Sequence, residues 1–165
     1  MTETKAQQYA AVAEEIAAVL AGEGNLTARL ATVPAMLAAA FGRYFWTGFY
    51  LIDPEKPDEL VVGPYQGTLG CLRIAFGHGV CGTAAAERRT VIVADVDAFP
   101  GHIACDSRSR SEIVVPVFGA DGALMGVFDA DSTELAAFDE DDAAGLEAIL
   151  AATFGAQTLA SFTAK

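Results

Sequence analysis

The sequence predicts an α+β domain in which helices at both ends of the chain flank an antiparallel sheet. Apolar residues recur at helical spacing in the first forty residues and again near the C-terminus. Between them, short runs of aromatic and β-branched residues alternate with turns rich in glycine and aspartate, a pattern typical of hairpins. With 165 residues, of which 53% are hydrophobic, we expect residues 1–165 to form a single domain around one core.

Two helices are predicted in the N-terminal part of the chain. The apolar face of the first helix consists of Tyr9, Val12, Ile16, Val19 and Leu20. Gly22 and Gly24 follow this face and predict the end of the helix. Asn25 is a suitable N-cap for the second helix, and Gly42 follows its last turn. Pro34 interrupts the second pattern, so we expect a kink or a late start there. The inward residues of the second helix are Leu26, Leu30, Val33, Leu37 and Phe41.

The middle of the chain is expected to supply the sheet. The predicted strands are residues 44–52, 59–65, 73–76, 90–94, 113–118 and 123–128. The first two strands are joined by a turn at 53–58, and the last two by Asp121-Gly122, which is a strong hairpin signal. A short helix at 80–87 and an irregular polar loop at 97–111 complete this region.

A final helix is predicted after residue 139. Asp139 is its N-cap, Asp142 follows three residues later, and Phe138 precedes the cap as a candidate staple residue. The apolar face of this helix consists of Leu146, Ile149, Leu150 and Phe154.

Composition and charge limit the partners of the protein. The net charge of −12 repels nucleic acids and anionic membrane surfaces. The N-terminus lacks the basic start and apolar run of a signal peptide, and no uncharged stretch is typical of a membrane span. We therefore expect a cytoplasmic protein that binds neither nucleic acid nor membranes. In that compartment cysteines favour catalytic, redox-sensing or metal-binding roles over a disulfide framework.

The cysteines are the most informative candidates for chemistry, because each lies in a polar or glycine-rich setting. They are Cys71, Cys81 and Cys105. In thiol redox chemistry one thiolate attacks an oxidised substrate, becomes a sulfenic acid and is captured by a second cysteine as a disulfide. Cys105 fits the first role best, because it lies in the polar loop close to Arg108 and Arg110, which could stabilise a thiolate, although Asp106 opposes that effect.

Two other uses of this region are possible on sequence grounds. A zinc site could be formed by His78, Cys81, His102 and Cys105. Gly77, Gly79 and Gly82 match the dinucleotide-binding pattern, but the preceding strand is short and the downstream chain predicts hairpins. These glycines fit better a helix start that exposes amide groups to a carboxylate or phosphate, or a tight turn without chemical function.

Acidic and aromatic residues provide further candidates for binding. Glu112 begins one apolar strand, and Asp129 and Asp131 fall on one face at the end of another. Neighbouring carboxyls raise each other's pKa, so one can act as a general acid, or the group can bind an ammonium. The alternative is that they are solvated turn residues. Trp46 and Tyr50 share a strand face, either as core packing or as an aromatic wall for a methylthio group.

Taken together, these segments resemble the GAF-domain free methionine-(R)-sulfoxide reductases. The resemblance covers nearly the whole chain, and ordinary GAF ligand-sensing domains lack cysteines in these contexts. It is carried by WTGFY at 46–50, GPYQG at 63–67, GVCGTA at 79–84, GHIACD at 101–106, SEIV at 111–114 and DADS at 129–132. The implied fold is a GAF domain, an antiparallel sheet flanked by helices.

The resemblance also implies roles for individual residues. Cys105 corresponds to the catalytic cysteine and Cys71 to the resolving cysteine, while Cys81 corresponds to a less essential third cysteine that could pair with Cys71. The implied substrate-binding residues are Trp46, Tyr50, Glu112, Asp129 and Asp131. The implied reaction reduces free methionine-(R)-sulfoxide without a cofactor or metal, with thioredoxin as reductant and a homodimer as a possible assembly. A GAF-type ligand or redox sensor without turnover is the alternative.

Overall fold

The computed structural model describes residues 3–159, and within them six strands form one antiparallel sheet. The strands are β1 (Trp46–Asp53), β2 (Lys56–Gln66), β3 (Arg73–Ala75), β4 (Val91–Val93), β5 (Ser111–Phe118) and β6 (Leu124–Ser132). The helices are α1 (Lys5–Val19), α2 (Leu26–Ala40), α3 (Gly79–Glu87) and α4 (Glu140–Phe154), with a 3₁₀ turn at Val96–Ala98. The strand order is β3-β2-β1-β6-β5-β4.

The two faces of the sheet carry different layers. Because side chains alternate along a strand, Phe49 and Phe128 pack with α1, α2 and α4, whereas Tyr50 and Val127 pack on the opposite face with α3. The α+β class, the terminal helices and both hairpins are therefore confirmed. Helices on one face leave the other face to α3 and to two long loops, and the cavity described below lies there.

Three details differ from the sequence-based expectations. Val19 is 62% exposed, so it does not belong to the buried face of α1. Helix α2 runs from Leu26 to Ala40 with Pro34 inside it, so the predicted late start is wrong. Strand β6 continues to Ser132, four residues beyond the predicted end, which places its aspartates inside the sheet.

A buried carboxylate ties the two ends of the chain together. Asp142, in the first turn of α4, is fully buried and accepts hydrogen bonds from Lys5 Nζ at 2.6 Å, from Tyr9 Oη at 2.8 Å and from Arg43. It also completes the predicted capping box with Asp139. A buried charge is tolerated only when paired and hydrogen-bonded, and these cations provide that pairing.

The closest approach of α1 to α4 depends on a glycine. A Cβ atom at Gly145 would lie 2.2 Å from Tyr9 Cγ. We expect Gly145→Ala to lower the free energy of unfolding by about 1–3 kcal/mol through overpacking, although alanine is favoured by about 1 kcal/mol in a helix. Denaturant titration measures this change. Gly24→Ala is the matched control, because no atom lies within 4 Å of its Cβ position, and equal effects in both variants would contradict the packing argument.

Candidate functional site

A cavity opens on the α3 face of the sheet. The space within its outline, open solvent included, is about 500 Å³. Seven of the eight predicted site residues line it, and the eighth, Cys71, is bonded to one of them. The seven are Trp46, Tyr50, Cys81, Cys105, Glu112, Asp129 and Asp131. The structure therefore brings together residues that are separated by up to 85 positions in the chain.

Strand register explains why the polar residues meet. Asp131 on β6 lies between Trp46 on β1 and Glu112 on β5, each of which is its direct partner across the sheet. Asp129, two residues earlier, faces the same side and pairs with Gly48 and with a residue of β5. A single row across three strands thus supplies an aromatic ring and two carboxyl groups, with the third carboxyl one row away.

Glu112 and Asp129 are buried and Asp131 is half-buried within β6, so the interpretation of the aspartates as solvated turn residues is wrong. Glu112 and Asp129 are each 5% exposed. Burial raises the pKa of both carboxyls well above the usual range, and the charge of Asp131 raises them further. Burial also raises the pKa of Asp131 to about 7, an effect that the Ser109 hydroxyl and His102 partly offset. The cluster therefore retains protons near neutral pH.

One carboxyl oxygen of this cluster lacks a hydrogen-bond partner in the part of the chain that the structure describes. Among the described residues, nothing donates a hydrogen bond to Asp129 Oδ1, although the atom is buried. An unsatisfied buried oxygen is costly in the absence of a ligand. A ligand that carries a hydrogen-bond donor could satisfy this oxygen.

The aromatic side of the cavity is built on β1. The rings of Trp46 and Tyr50 stack with centroids 5.6 Å apart, and Trp46 also stacks on Tyr65 at 5.0 Å. Trp46 Nε1 donates to the Thr68 carbonyl at 2.9 Å, which fixes the indole against the loop of residues 67–72 between β2 and β3. The indole and phenol rings thus form an apolar wall beside the acids, on the neighbouring strand of the same sheet face.

Two of the cysteines form a disulfide in this structure. Cys71, in the 67–72 loop, is bonded to Cys105, in the loop of residues 99–110 that precedes β5, with their Cα atoms 5.2 Å apart. This is the pair that the resemblance implied for resolution, whereas Cys81 is a free thiol. Cys81 is buried with its Sγ 3.9 Å from Glu112 Oε1, and burial beside these acids raises its pKa, so it remains a thiol rather than a thiolate.

The two loops are also joined by polar contacts. Thr68 Oγ1 donates to Asp106 Oδ2 at 2.7 Å. Arg108 pairs with the same carboxylate, with Nη2 at 2.8 Å, and its guanidinium lies 4.8 Å from the centroid of the Phe45 ring. This pairing holds the pKa of Asp106 well below its usual range. Arg108 is thus bound to Asp106 in the disulfide form, rather than placed as an independent cation beside the sulfur of Cys105.

The two alternatives drawn from the sequence are not supported by the geometry. Within the described residues, the ligand atoms that converge are those of Cys81, Glu112 and Asp129, which lie within 4.8 Å of one another, and not the predicted set of two histidines and two cysteines. The sulfur of Cys105 is already bonded to Cys71. Because these three converging groups are buried and retain protons, they form a poor set of cation ligands at neutral pH.

The glycine motif serves local packing and not dinucleotide binding. The sheet is antiparallel throughout, so the parallel strand-helix unit of a dinucleotide fold is absent from the described chain. A Cβ at Gly82 would lie 2.3 Å from the Ala75 carbonyl oxygen, which explains the need for glycine there. Gly79, Val80 and Cys81 form the first turn of α3 and line the cavity, so amides without intrahelical acceptors lie at its edge.

Sequence reasoning did not assign two polar residues to this arrangement. His102 is mostly buried and places Nε2 3.6 Å from Glu112 Oε2. Ser109 is 8% exposed, lines the cavity and lowers the pKa of Asp131. The position of His102 three residues before Cys105 is a usable signal, but by itself it predicts a zinc ligand or a loop residue bonded to backbone or water. Nothing in the sequence distinguishes Ser109 from other loop serines.

Comparison with known proteins places this arrangement among characterised enzymes. The family model for the GAF domain matches residues 30–153. The chain is similar to the free methionine-R-sulfoxide reductase of Escherichia coli, with 42% identity over 147 residues, 89% of this chain and 87% of that protein. The X-ray structure of free methionine-R-sulfoxide reductase from Neisseria meningitidis in complex with its substrate is 53% identical, with a TM-score of 0.85 over 91% of this chain and 88% of that one.

A further solved structure has the same fold. The reduced form of fRMsr from Staphylococcus aureus is 44% identical, with a TM-score of 0.81, and covers 86% of this chain and 90% of that one. Identities of this size over nearly full length relate the chain to these proteins in fold and in sequence.

Proposed function

The chain belongs to the GAF-domain family, and from that premise we propose that it reduces free methionine-(R)-sulfoxide to methionine by cysteine chemistry. The observation that carries this proposal is the disulfide between Cys71 and Cys105, which lies at a cavity with an aromatic wall and a cluster of protonated acids. Such a combination supplies a nucleophile, a proton donor and a binding surface for an oxidised thioether.

The cavity matches the parts of the free amino acid. The indole of Trp46 and the ring of Tyr50 would contact the methyl group and the sulfur, because thioethers pack well against aromatic rings. The amides of the first turn of α3 would bind the carboxylate, since a helix N-terminus favours anions. A protonated carboxyl of the acid cluster would donate to the sulfoxide oxygen, and Asp129 Oδ1, which has no donor among the described residues, would accept a hydrogen bond from the ammonium.

The proposed reaction follows from this arrangement. A protonated carboxyl, Asp131 or Glu112, donates to the sulfoxide oxygen while the Cys105 thiolate attacks the substrate sulfur. An S–S bond forms between Cys105 and the substrate, the S–O bond breaks, and the protonated oxygen leaves as water. Water then attacks the Cys105 sulfur, the S–S bond breaks with its electron pair going to methionine, and Cys105 becomes a sulfenic acid. The Cys71 thiol then displaces that oxygen as water and forms the disulfide. A positioned donor contributes about 3–4 kcal/mol to such a step.

The substrate assay is the direct test. Purified protein should consume the R epimer of free methionine sulfoxide with dithiothreitol as reductant, and should leave the S epimer and peptide-bound methionine sulfoxide largely unchanged. A sensor would bind the free amino acid without consuming it. Failure to release methionine from either free epimer would therefore replace the reductase with the sensor alternative.

The reductant, assembly and location are further parts of the proposal. Thioredoxin is proposed as the reductant because it is a dithiol able to reduce an accessible disulfide. A homodimer is proposed through the terminal helices. No helix in the described residues combines the length and the apolar character that a membrane crossing requires. A cytoplasmic location is proposed because the cycle requires cysteines that return to the thiol form. A single domain over residues 1–165 is proposed because α1 packs on α4.

The acid step predicts a specific pH dependence. Asp131, with a pKa of about 7, is protonated below that pH and ionised above it. If Asp131 is the donor, the rate of methionine release in the first turnover should fall by about tenfold per pH unit above this value. Rapid-quench measurement of one equivalent of methionine between pH 6 and pH 9 tests this expectation. Asp131→Asn should show a low rate without this alkaline limb.

Ser109→Ala is the matched control for the pH profile. The Ser109 hydroxyl lowers the pKa of Asp131, while burial and the charge of Asp106 raise it and His102 lowers it. Removing the hydroxyl should therefore move the alkaline limb to higher pH without removing the donor. A limb that stays unchanged in both variants would reassign the proton donor to Glu112.

A further inference from the structure

Exposed apolar side chains are concentrated around the disulfide. Five large hydrophobic residues of the described chain are substantially exposed, and three of them lie within two positions of a disulfide cysteine. The five are Val19, Leu69, Leu72, Ile103 and Leu135. Single exposed leucines are ordinary on protein surfaces, but a concentration of them around one reactive bond requires an explanation.

The three side chains belong to one surface patch. Leu69 is 76% exposed and Leu72 is 68% exposed on either side of Cys71, and Ile103 is 40% exposed two residues before Cys105. The cysteine Cα atoms are 5.2 Å apart. Since two residues span at most about 7 Å, the Cα atoms of all three residues lie within about 7 Å of the Cα atom of a disulfide cysteine. We refer to Leu69, Leu72 and Ile103 as the apolar collar.

The charges beside the collar are already paired within the protein. Arg73 follows Leu72 and binds Asp53 at 2.6 Å and Glu59 at 2.7 Å. Arg108 binds Asp106 on the other loop. Both guanidinium groups beside the collar are therefore engaged in ion pairs with carboxylates of this protein. The patch combines an apolar centre with a polar rim, which is the usual composition of a protein-binding surface.

We propose that the apolar collar is the docking surface for a protein dithiol reductant of the thioredoxin type, an inference that rests on the proposed catalytic cycle. The bond at the centre of the collar determines the chemistry of the partner. A thiolate of the reductant attacks one sulfur of the pair and forms a mixed disulfide, and the other cysteine leaves as a thiolate. The second thiol of the reductant then attacks the reductant sulfur of this mixed disulfide, and the protein cysteine leaves as a thiolate. Two electrons pass to the protein, and the reductant is released as its disulfide.

The size of the collar favours a transient partner over a second copy of this chain. Three such side chains expose on the order of a few hundred Å², whereas stable interfaces bury about 1,200–2,000 Å² in total. A reductant must also dissociate after each cycle, and a small interface allows that. The collar thus meets the requirement of brief, specific contact around an accessible disulfide.

A substitution at Leu72 can test docking without changing the substrate cavity. Leu69 and Ile103 also line the cavity, so their substitution would change the substrate site as well. Leu72 is not among the cavity-lining residues. Its carbonyl accepts a hydrogen bond from the Val62 amide at 3.0 Å, so the backbone is held by the sheet while the side chain faces solvent. Replacement of this side chain should preserve the loop.

The test measures reduction of the oxidised protein by two reductants. Oxidised wild type and Leu72→Asn are mixed with Escherichia coli thioredoxin or with dithiothreitol, and thiol appearance is followed by stopped flow. We expect the second-order rate constant with thioredoxin to fall about tenfold in Leu72→Asn, the loss expected for an interface anchor. The rate with dithiothreitol should be unchanged. Leu72→Met should restore the thioredoxin rate, because it restores apolar contact.

Val19→Asn is the control for a general loss of surface hydrophobicity. Val19 is 62% exposed and ends α1, on the opposite side of the sheet. Its rates with both reductants should equal those of the wild type. An unchanged thioredoxin rate in Leu72→Asn, or equal slowing with both reductants, would overturn the docking proposal. The assay contains no methionine sulfoxide, so a failure of the proposed reductase activity is detected separately, as an absence of methionine when substrate and dithiothreitol are supplied.

Discussion

Cys105→Ser is expected to abolish turnover of free methionine sulfoxide. A serine hydroxyl is not ionised at neutral pH and lacks the nucleophilicity of a thiolate, so no bond to the substrate sulfur would form. The residual rate should be lower by at least about 10³-fold, comparable to the loss of other catalytic nucleophiles. Methionine release with dithiothreitol measures it, because this reductant removes any need for a protein partner. Retained activity in this variant would remove Cys105 from the proposed mechanism.

Cys71→Ser provides the comparison that separates attack from resolution. This variant keeps the nucleophile, so it should release about one equivalent of methionine per protein in a single turnover. It should then recycle poorly with thioredoxin, because the sulfenic acid of Cys105 lacks the thiol of residue 71. The Cα atoms of these two positions are 5.2 Å apart in the structure. Equal loss of the first turnover in both variants would contradict the division of labour between the two cysteines.

Asp142→Ala is expected to cause the largest loss of stability. The carboxylate is fully buried and binds Lys5, Tyr9 and Arg43, so its removal leaves the mostly buried Arg43 without its carboxylate partner, while Lys5 keeps its ion pair with Asp139. Breaking a buried ion pair in this way costs about 3–5 kcal/mol. The variant also loses the hydrogen bond that Asp142 Oδ2 accepts from the Asp139 amide at 2.8 Å. Urea titration of the oxidised protein measures the free energy of unfolding.

Asp141→Ala is the matched control for this loss. Asp141 is the neighbouring residue in the same helical turn, but it is exposed. It should change the free energy of unfolding by less than about 1 kcal/mol, as surface substitutions usually do. Comparable effects at the two positions would show that the buried network contributes little and that general effects on the helix dipole dominate.

The sequence allows the fold to be predicted because its signals are local. Helix caps at Asn25 and Asp139, glycine punctuation and the Asp121-Gly122 turn depend on neighbouring residues, and the structure confirms them. Errors occurred where tertiary context decides. The sequence predicts a strand that ends at residue 128, yet β6 continues to Ser132 and the cavity allows Asp129 and Asp131 to stay inside the sheet as protonated acids. Local propensity does not report such burial.

The site was predictable only in part, for the same physical reason. Cysteine settings indicated thiol chemistry, but the pairing of Cys71 with Cys105 came from the resemblance, because spacing alone allows any pair of the three. The pairing of Arg108 with Asp106 depends on a turn within the 99–110 loop, which periodicity does not reveal. Ser109 gained its place beside Asp131 through the fold of the same loop.

The bond between the 67–72 and 99–110 loops links conformational stability to oxidation state in one thermodynamic cycle. The crosslink raises the free energy of unfolding of the native state. The native state in turn stabilises the disulfide against reduction by the same free energy, because it holds the two sulfurs together. A rigid scaffold around these sulfurs would therefore trap the protein in its spent form. Flexibility of the two loops is thus a thermodynamic requirement for repeated cycles. Mutations that make the loops more rigid would raise the stability of the protein and lower its turnover rate.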